Sequence, residues 1–222
     1  MKILLLFVLG VSNLFAQSGN YMSATESDPK AIELLESIKH DFESYKAHKF
    51  DFTIDIEYPA HEGQKMSGSL IQSGENFVLD VDERKIISDN KSVWVYLKER
   101  NEVQINDADF EEGDELMKPS DLFKLYNSGK YVFAITNYTK EAGEAITQLE
   151  CKPLDEDSEY SKIRITAADK SKEIKRMKIF FKDGSRMTMS VTSQTKDFEP
   201  EAGTFSFDAK NHEGVLVEDL RF

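Results

Sequence analysis

The stretch Phe50-Asp51-Phe52-Thr53-Ile54-Asp55-Ile56-Glu57-Tyr58 alternates five apolar with four polar residues without a break. That two-residue period is the pattern of a strand with one dry and one wet face, and no helix can use it. Phe, Ile and Thr are also good strand formers, so propensity and period agree. Working outward, the question is what covers the dry face: packed side chains, or a cavity that holds something apolar.

On the N-terminal side, Asp28-Pro29 marks a helix start, with Asp as N-cap and Pro at the first helical position. Ala31, Leu34, Leu35, Ile38, Phe42 and Tyr45 follow at helical spacing and predict a helix over 29–46 with one apolar stripe. Such a helix needs an apolar surface beneath it, and the adjacent strand supplies one. Upstream, Met1-Lys2 followed by the apolar run Ile3 to Phe15 and a small residue at Ala16 predicts a secretory signal peptide over residues 1–16, cleaved near Ala16-Gln17. An uncleaved anchor is the alternative. Residues 17–27 read as a flexible leader and 28–222 as a single domain.

On the C-terminal side, short alternating runs predict an antiparallel meander: Met66 to Gln72, Asn76 to Val81, Lys85 to Ser88, Ser92 to Leu97 and Glu102 to Ile105. The acidic stretch Asp107 to Glu115 loosely matches a calcium loop, but Gly113 falls one place late and no acid occupies the twelfth position, so it reads as a solvated loop. Ser120 then predicts the cap of a short helix carrying Leu122, Phe123, Leu125 and Tyr126, stopped at Gly129. Strands resume at Tyr131 to Thr136, Ile146 to Cys151 and Lys162 to Thr166.

A hairpin follows in which Met177, Ile179 and Phe181 share one face of the incoming strand, and Met187, Met189 and Val191 one face of the outgoing strand. A three-residue loop with Gly184 left-handed pairs Ile179 with Met187 and brings the two faces together, whereas a two-residue turn sets them on opposite sides. We expect the former. Three methionines there suit either an adaptable apolar wall or a gap-filled core. Gly203-Thr204-Phe205-Ser206-Phe207-Asp208 reads as another alternating strand, followed by a turn and an edge strand in Gly214-Val215-Leu216-Val217-Glu218.

Over its 222 residues the chain is 40% hydrophobic and 31% charged, the balance of a soluble globular protein. Removing Lys2 with residues 1–16 takes the formal net charge from −13 to −14, which disfavours nucleic acid and anionic lipid surfaces as partners. Cys151 is the only cysteine, so no internal disulfide can form, and it reads as a small buried hydrophobe. His40, His48, His61 and His212 contain no H-E-x-x-H pair, and the chain has no G-x-S-x-G elbow, P-loop or dinucleotide fingerprint. No catalytic set, metal or cofactor is indicated.

At Ile86-Ile87-Ser88-Asp89-Asn90-Lys91-Ser92-Val93-Trp94-Val95-Tyr96 the chain resembles the LolA family of periplasmic lipoprotein carriers, whose members have a strand, a D-G-K-like turn and a strand carrying W-x-Y. The amphipathic helix leading into an F-x-F-like strand, Gly68-Ser69-Leu70 before Phe77, and Phe205-Ser206-Phe207 before Gly214-Val215-Leu216-Val217 fall in the family order. The resemblance implies a mainly β (α+β) fold: an incompletely closed antiparallel barrel covered by a few α-helices. It also implies a non-enzymatic, monomeric carrier that takes lipoproteins from an inner-membrane lipoprotein-releasing transporter and shuttles them through the periplasm to an unidentified outer-membrane acceptor.

On that resemblance the proposed acyl-chain cavity comprises Phe50, Phe52, Ile54, Ile56, Met66, Leu70, Phe77, Leu79, Val93, Val95, Met177, Ile179, Phe181, Met187 and Met189. The proposed lid comprises Leu34, Leu35, Ile38, Phe42, Leu122, Phe123, Leu125 and Tyr126. One departure concerns the latch: where enterobacterial members carry an arginine after the second strand, this chain has Ser73-Gly74-Glu75-Asn76, and Arg84 is the candidate replacement. The alternatives are a lipid- or lipoprotein-sensing module of the same fold, an envelope hydrolase, and a β-domain with a solid core.

Overall fold

A computed structural model describes residues 23–108 and 127–221. Helix α1 spans Pro29–Glu43; Asp28 caps it, its carboxylate accepting from the Lys30 amide at 2.9 Å. The stripe read from spacing is the face that packs, with Ala31, Leu35 and Ile38 buried. Full burial of a Leu or Ile side chain stabilises by about 1.5–3 kcal/mol, so this face holds the helix down more firmly than propensity could. Residues at the end of the stretch read as a leader form a 3-10 turn, Ala24–Glu26. They tie the start of α1 to the sheet: the Asp28 amide donates to the Phe133 carbonyl at 2.8 Å, and the Phe133 amide to Ser27 Oγ at 3.1 Å.

The strands are β1 (His48–Glu57), β2 (Gln64–Ser73), β3 (Asn76–Val81), β4 (Arg84–Ser88), β5 (Ser92–Leu97), β6 (Glu102–Asp107), β7 (Tyr131–Glu141), β8 (Glu144–Pro153), β9 (Tyr160–Ala168), β10 (Ile174–Phe181), β11 (Arg186–Lys196) and β12 (Leu216–Asp219). All twelve belong to one sheet in the order β12-β6-β5-β4-β3-β2-β1-β11-β10-β9-β8-β7. A sheet this wide accumulates twist and curls. Its edge strands β12 and β7 are not paired with each other, so the barrel stays open. The opening stretch, as β1, sits mid-sheet, hydrogen-bonded to β2 on one side and β11 on the other.

The register carries the apolar alternation across the sheet. Phe50 faces Leu70 and then Leu79; Ile54 faces Met189, then Met177, Ile165 and Leu149. Cross-strand partners share a face, so these residues line one continuous inward surface. The β10–β11 hairpin has the expected pairing, Ile179 with Met187 and Met177 with Met189, and Gly184 is left-handed at φ +88°. Gly68 lies opposite Phe52, and a Cβ there would come within 2.7 Å of Val81 Cγ2 and 3.0 Å of the Phe52 ring. Glycine at that position gives the ring its room.

Three readings are corrected. Residues 203–208 are turns, not a strand. The Thr204 amide donates to Glu201 O and the Ser206 amide to Gly203 O, with Gly203 left-handed at φ +85°, so the backbone bonds locally and needs no ladder partner. The alternation survives as a contact, because Phe207 and His212 pack on Tyr96 of β5 at centroid distances of 5.3 and 4.7 Å. Second, the edge strand read at 214–218 departs from the otherwise antiparallel order: β12 runs parallel to β6 after a long connection that packs on Tyr96. Third, β7, β8 and β9 run two or more residues past the ends read from sequence. The helix predicted to carry Leu122, Phe123, Leu125 and Tyr126, and the Asp109–Glu115 part of the acidic loop, lie outside the described residues.

Candidate functional site

An apolar cavity of about 50 Å³ lies between the inward sheet face and the C-terminal half of α1. Ile38 and Phe42 line it from the helix; Phe50, Phe52, Leu70, Leu79, Met177, Met189 and Val191 line it from β1, β2, β3, β10 and β11. Polar groups join the lining at Asp41, at Lys172 and Glu173 where β9 connects to β10, and at Gln194, with Ile174 beside them. Ile54 packs against the cluster that includes Phe50 and Phe52, and Phe77 is fully buried at its centre.

The other described wall and lid residues lie elsewhere. Leu34, Leu35, Ile179, Phe181 and Met187 belong to a packed cluster with Phe133, Leu149, Ile163 and Ile165 between α1 and strands β7–β11. Cys151 is buried in that cluster as a free thiol whose pKa is driven up by burial. Ile56 pairs with Met187 and Met66 with Ile54; both are half-buried. Val93 is buried, while Val95 is half-buried opposite Ile86. None of these lines the cavity.

Sequence reading missed the polar end of the site, because a β-bulge creates it. Phe52 pairs with Val191 but Asp51 pairs with Ser193, leaving Thr192 as an extra residue whose hydroxyl donates to Asp51 O at 2.9 Å. The extra residue reverses the alternation of β11, so Gln194 and Lys196 take the face that Val191 occupies. They pair with Phe50 and His48.

The C-terminal end of α1 is held at this rung. Lys196 Nζ donates to Asp41 Oδ2 at 2.8 Å and lies 3.8 Å from Glu173, while Arg84 is exposed on β4. The His48 ring stacks on Phe42 at 4.0 Å and on Phe50 at 5.8 Å, and its Nε2 donates to the Phe42 carbonyl at 2.7 Å. Burial holds the His48 pKa below the ordinary 6.5; Lys196 adds to the shift, and the Phe42 carbonyl and Asp41 oppose it. A spacing-based search had no means of singling out His48, since its partners are distant in sequence. Chemically the arrangement can sequester an apolar group, and among the described residues no cluster of His, Cys, Asp and Glu is arranged to hold a metal.

A family model described as outer membrane lipoprotein carrier protein LolA matches residues 60–208. No curated protein matches the sequence. Among solved structures, an uncharacterized conserved protein from Thermus thermophilus aligns at 9% identity over 86% of this chain and 99% of its own, with a TM-score of 0.58. A LolA superfamily protein from Nitrosomonas europaea aligns at 13% identity over 80% of this chain and 98% of its own, TM-score 0.44. A lipoprotein from Mycobacterium tuberculosis, LppX, aligns at 9% identity over 79% and 99%, TM-score 0.42. The family match covers most of the chain, from the turn after β1 to the segment packed on β5, and the sheet around it is an open barrel: the chain belongs to the LolA family.

Proposed function

We propose that this protein is a carrier in the periplasm that shields the acyl chains of lipoproteins and moves them from the inner to the outer membrane. The observation that carries this reading is the apolar cavity under α1, walled by aromatic, leucine and methionine side chains from five strands. Each acyl methylene removed from water stabilises by about 0.8 kcal/mol, so a sixteen-carbon chain is worth on the order of 10 kcal/mol. Cargo of that kind does not cross an aqueous compartment unshielded at a useful rate.

The size of the cavity defines the loading step. At about 50 Å³ the cavity as it stands is small beside a long acyl chain. Loading therefore requires α1 to separate from the β1–β3 and β11 wall, exposing the row from Phe50 to Leu79. The start of α1, bonded through Asp28 to Phe133, serves as the hinge, and the Lys196–Asp41 pair serves as the catch.

Incubating purified protein with spheroplasts tests the function, with released lipoproteins read by immunoblot. Release into the soluble fraction is expected, and its absence sinks the carrier role. A first site prediction follows: Phe52→Asp puts a charge on the cavity wall and should weaken acyl-chain binding by about tenfold or more while the fold is kept. Cargo binding unchanged in the folded variant would move the site elsewhere.

A further inference from the structure

On the outer face of the sheet, away from the cavity, side chains of β9, β10 and β11 form a basic grid. Lys162 and Arg164, Lys178 and Phe180, and Arg186 alternate with the inward residues Ile163, Ile179 and Met187, so all five point outward. Phe180 pairs with Lys162 on one side and Arg186 on the other, and Lys178 pairs with Arg164. The charged ends of Lys162, Arg164, Lys178 and Arg186 stand 4.9, 5.2, 5.7 and 5.8 Å from the centroid of the half-buried Phe180 ring. The negative face of an aromatic ring attracts cations, so Phe180 fixes where these four stand.

The grid has a cost. Like charges directly opposite on neighbouring strands destabilise a sheet, and Arg164 and Lys178 are so placed. Among the described residues two carboxylates are paired with the four cations. Glu150 Oε1 takes both Lys162 and Arg164, and Glu57 takes Lys178 at 3.0 Å and Arg186 at 3.6 Å. Four cations against two carboxylates leave the grid positive, on a chain whose formal charge is −13. Screening at physiological salt limits such attraction to about 8 Å, so a group docked here responds to the grid and not to the charge of the chain as a whole.

We propose that this face docks an acidic, extended segment of a partner protein, whose carboxylates take the donors that Glu57 and Glu150 leave over. Successive outward residues on a strand are about 7 Å apart and neighbouring strands about 5 Å, so four cations in this array call for several carboxylates carried on one chain. Arg186 is the most open of them, and a guanidinium at an ion-pair distance of 3.6 Å can still present its planar fork to a second carboxylate. An anionic bilayer suits the grid less well. The acidic loop Asp155 to Glu159 borders it, with the Lys182 amide donating to the Glu159 carbonyl, and a flat surface meets that loop as well. Because the grid and the cavity lie on opposite faces of the sheet, a partner seated here leaves α1 free to move.

The test is fluorescence anisotropy of a labelled peptide of alternating Glu and Ser, titrated with the purified protein. Binding should weaken as salt is raised, and the same peptide with Lys in place of Glu should not bind. Lys178→Gln combined with Arg186→Gln should weaken binding by about tenfold, the scale of two partly exposed ion pairs. Arg186→Gln alone, at an exposed position, should weaken it by about threefold and serves if the double variant does not fold. Lys91→Gln, which removes the same charge in the turn between β4 and β5, should leave binding unchanged. No binding of the Glu peptide to the wild-type protein overturns the docking face. So does binding that the folded grid variants retain in full, or that Lys91→Gln weakens equally. Co-sedimentation with phosphatidylglycerol vesicles, lost in the grid variants while the peptide fails to bind, would assign the face to a membrane instead.

Discussion

At the scale of single residues, His48 shows how a buried polar side chain couples the stability of the fold to proton concentration. The groups facing it are the Phe42 carbonyl, Asp41 and the Tyr45 ring edge from the α1 side, Gln72 from β2, and Lys196 from β11. Its pKa is lowered by burial from 6.5, so the folded ring resists a proton that the unfolded chain accepts. The stabilising contribution of the neutral ring is thus present above 6.5 and is lost as pH falls through the lowered value. Urea unfolding midpoints measured between about pH 7.5 and 5.5 should decline, and His48→Gln should flatten that part of the profile. An identical slope in the variant would assign the decline to other groups. Gly68 makes a different point at this scale: its missing Cβ leaves room for the Asp80 carbonyl, Val81 and the Phe52 ring together, a role that no alternation pattern reveals.

At the scale of elements, α1 is held unequally along its length. Its first half is packed through Ala31 and Leu35 into the cluster built on Phe133, Leu149 and Ile163, with one backbone hydrogen bond from the cap residue Asp28 to Phe133 of β7. Its second half rests on the cavity through Ile38 and Phe42 and on the side-chain contacts of Lys196 and His48. In the loading step proposed above, this second half is the end that opens. Lys196→Met removes the pairing with Asp41 and Glu173 and should speed exchange of a bound acyl probe by several-fold. It should also raise amide hydrogen exchange in the last turn of α1 more than in the first. Uniform exchange along the helix would show that it moves as one body, with no hinge at Asp28. The bulge at Thr192 belongs to this scale too, because one inserted residue on β11 turns both Gln194 and Lys196 toward the helix.

At the scale of the molecule, an acidic chain with formal charge −13 carries ion pairs on the outer sheet face. Among the described residues Glu150 is the most enclosed of the paired carboxylates: it accepts from Lys162 Nζ at 2.8 Å and from Arg164 Nη2 at 2.6 Å, with its side chain 10% exposed. Burial works to raise its pKa, but the hydrogen bonds from Lys162 and Arg164 prevail and hold it below 4.5. A depressed carboxylate contributes stability above its unfolded pKa and loses it as pH falls through the folded one, so this contribution is lost below 4.5. Glu150→Gln should cost about 1–3 kcal/mol at neutral pH, with the difference from wild type shrinking in acid as the wild-type carboxylate protonates. Denaturation curves at both pH values check it; a difference that does not shrink would place the effect in packing. Glu57 and Glu141 are shifted the same way by Lys178 and Arg176 respectively, but Glu57 is exposed and the Glu141 side chain is 38% exposed, so solvent screens them.

Local order was legible from the sequence by itself. Two-residue alternation located β1, β3 and β5 almost to the residue, and an Asp-Pro cap with a 3.6-residue stripe located α1. Left-handed Gly184 set the hairpin register, because the turn type decides which residues face each other. These features depend on neighbours in sequence, which is why sequence carries them. The tertiary structure alone decided which apolar residues line the cavity and which fill the core, since alternation marks a dry face without saying what lies against it. It decided that Thr204, Phe205, Ser206 and Phe207 turn instead of extending, because a local hydrogen bond can replace a ladder bond at the same alternation. It also decided the polar end of the site: a bulge costs one residue and leaves no composition signal, yet it brings Gln194 beside Phe50 and Lys196 beside His48, where the opening strand meets the helix that covers it.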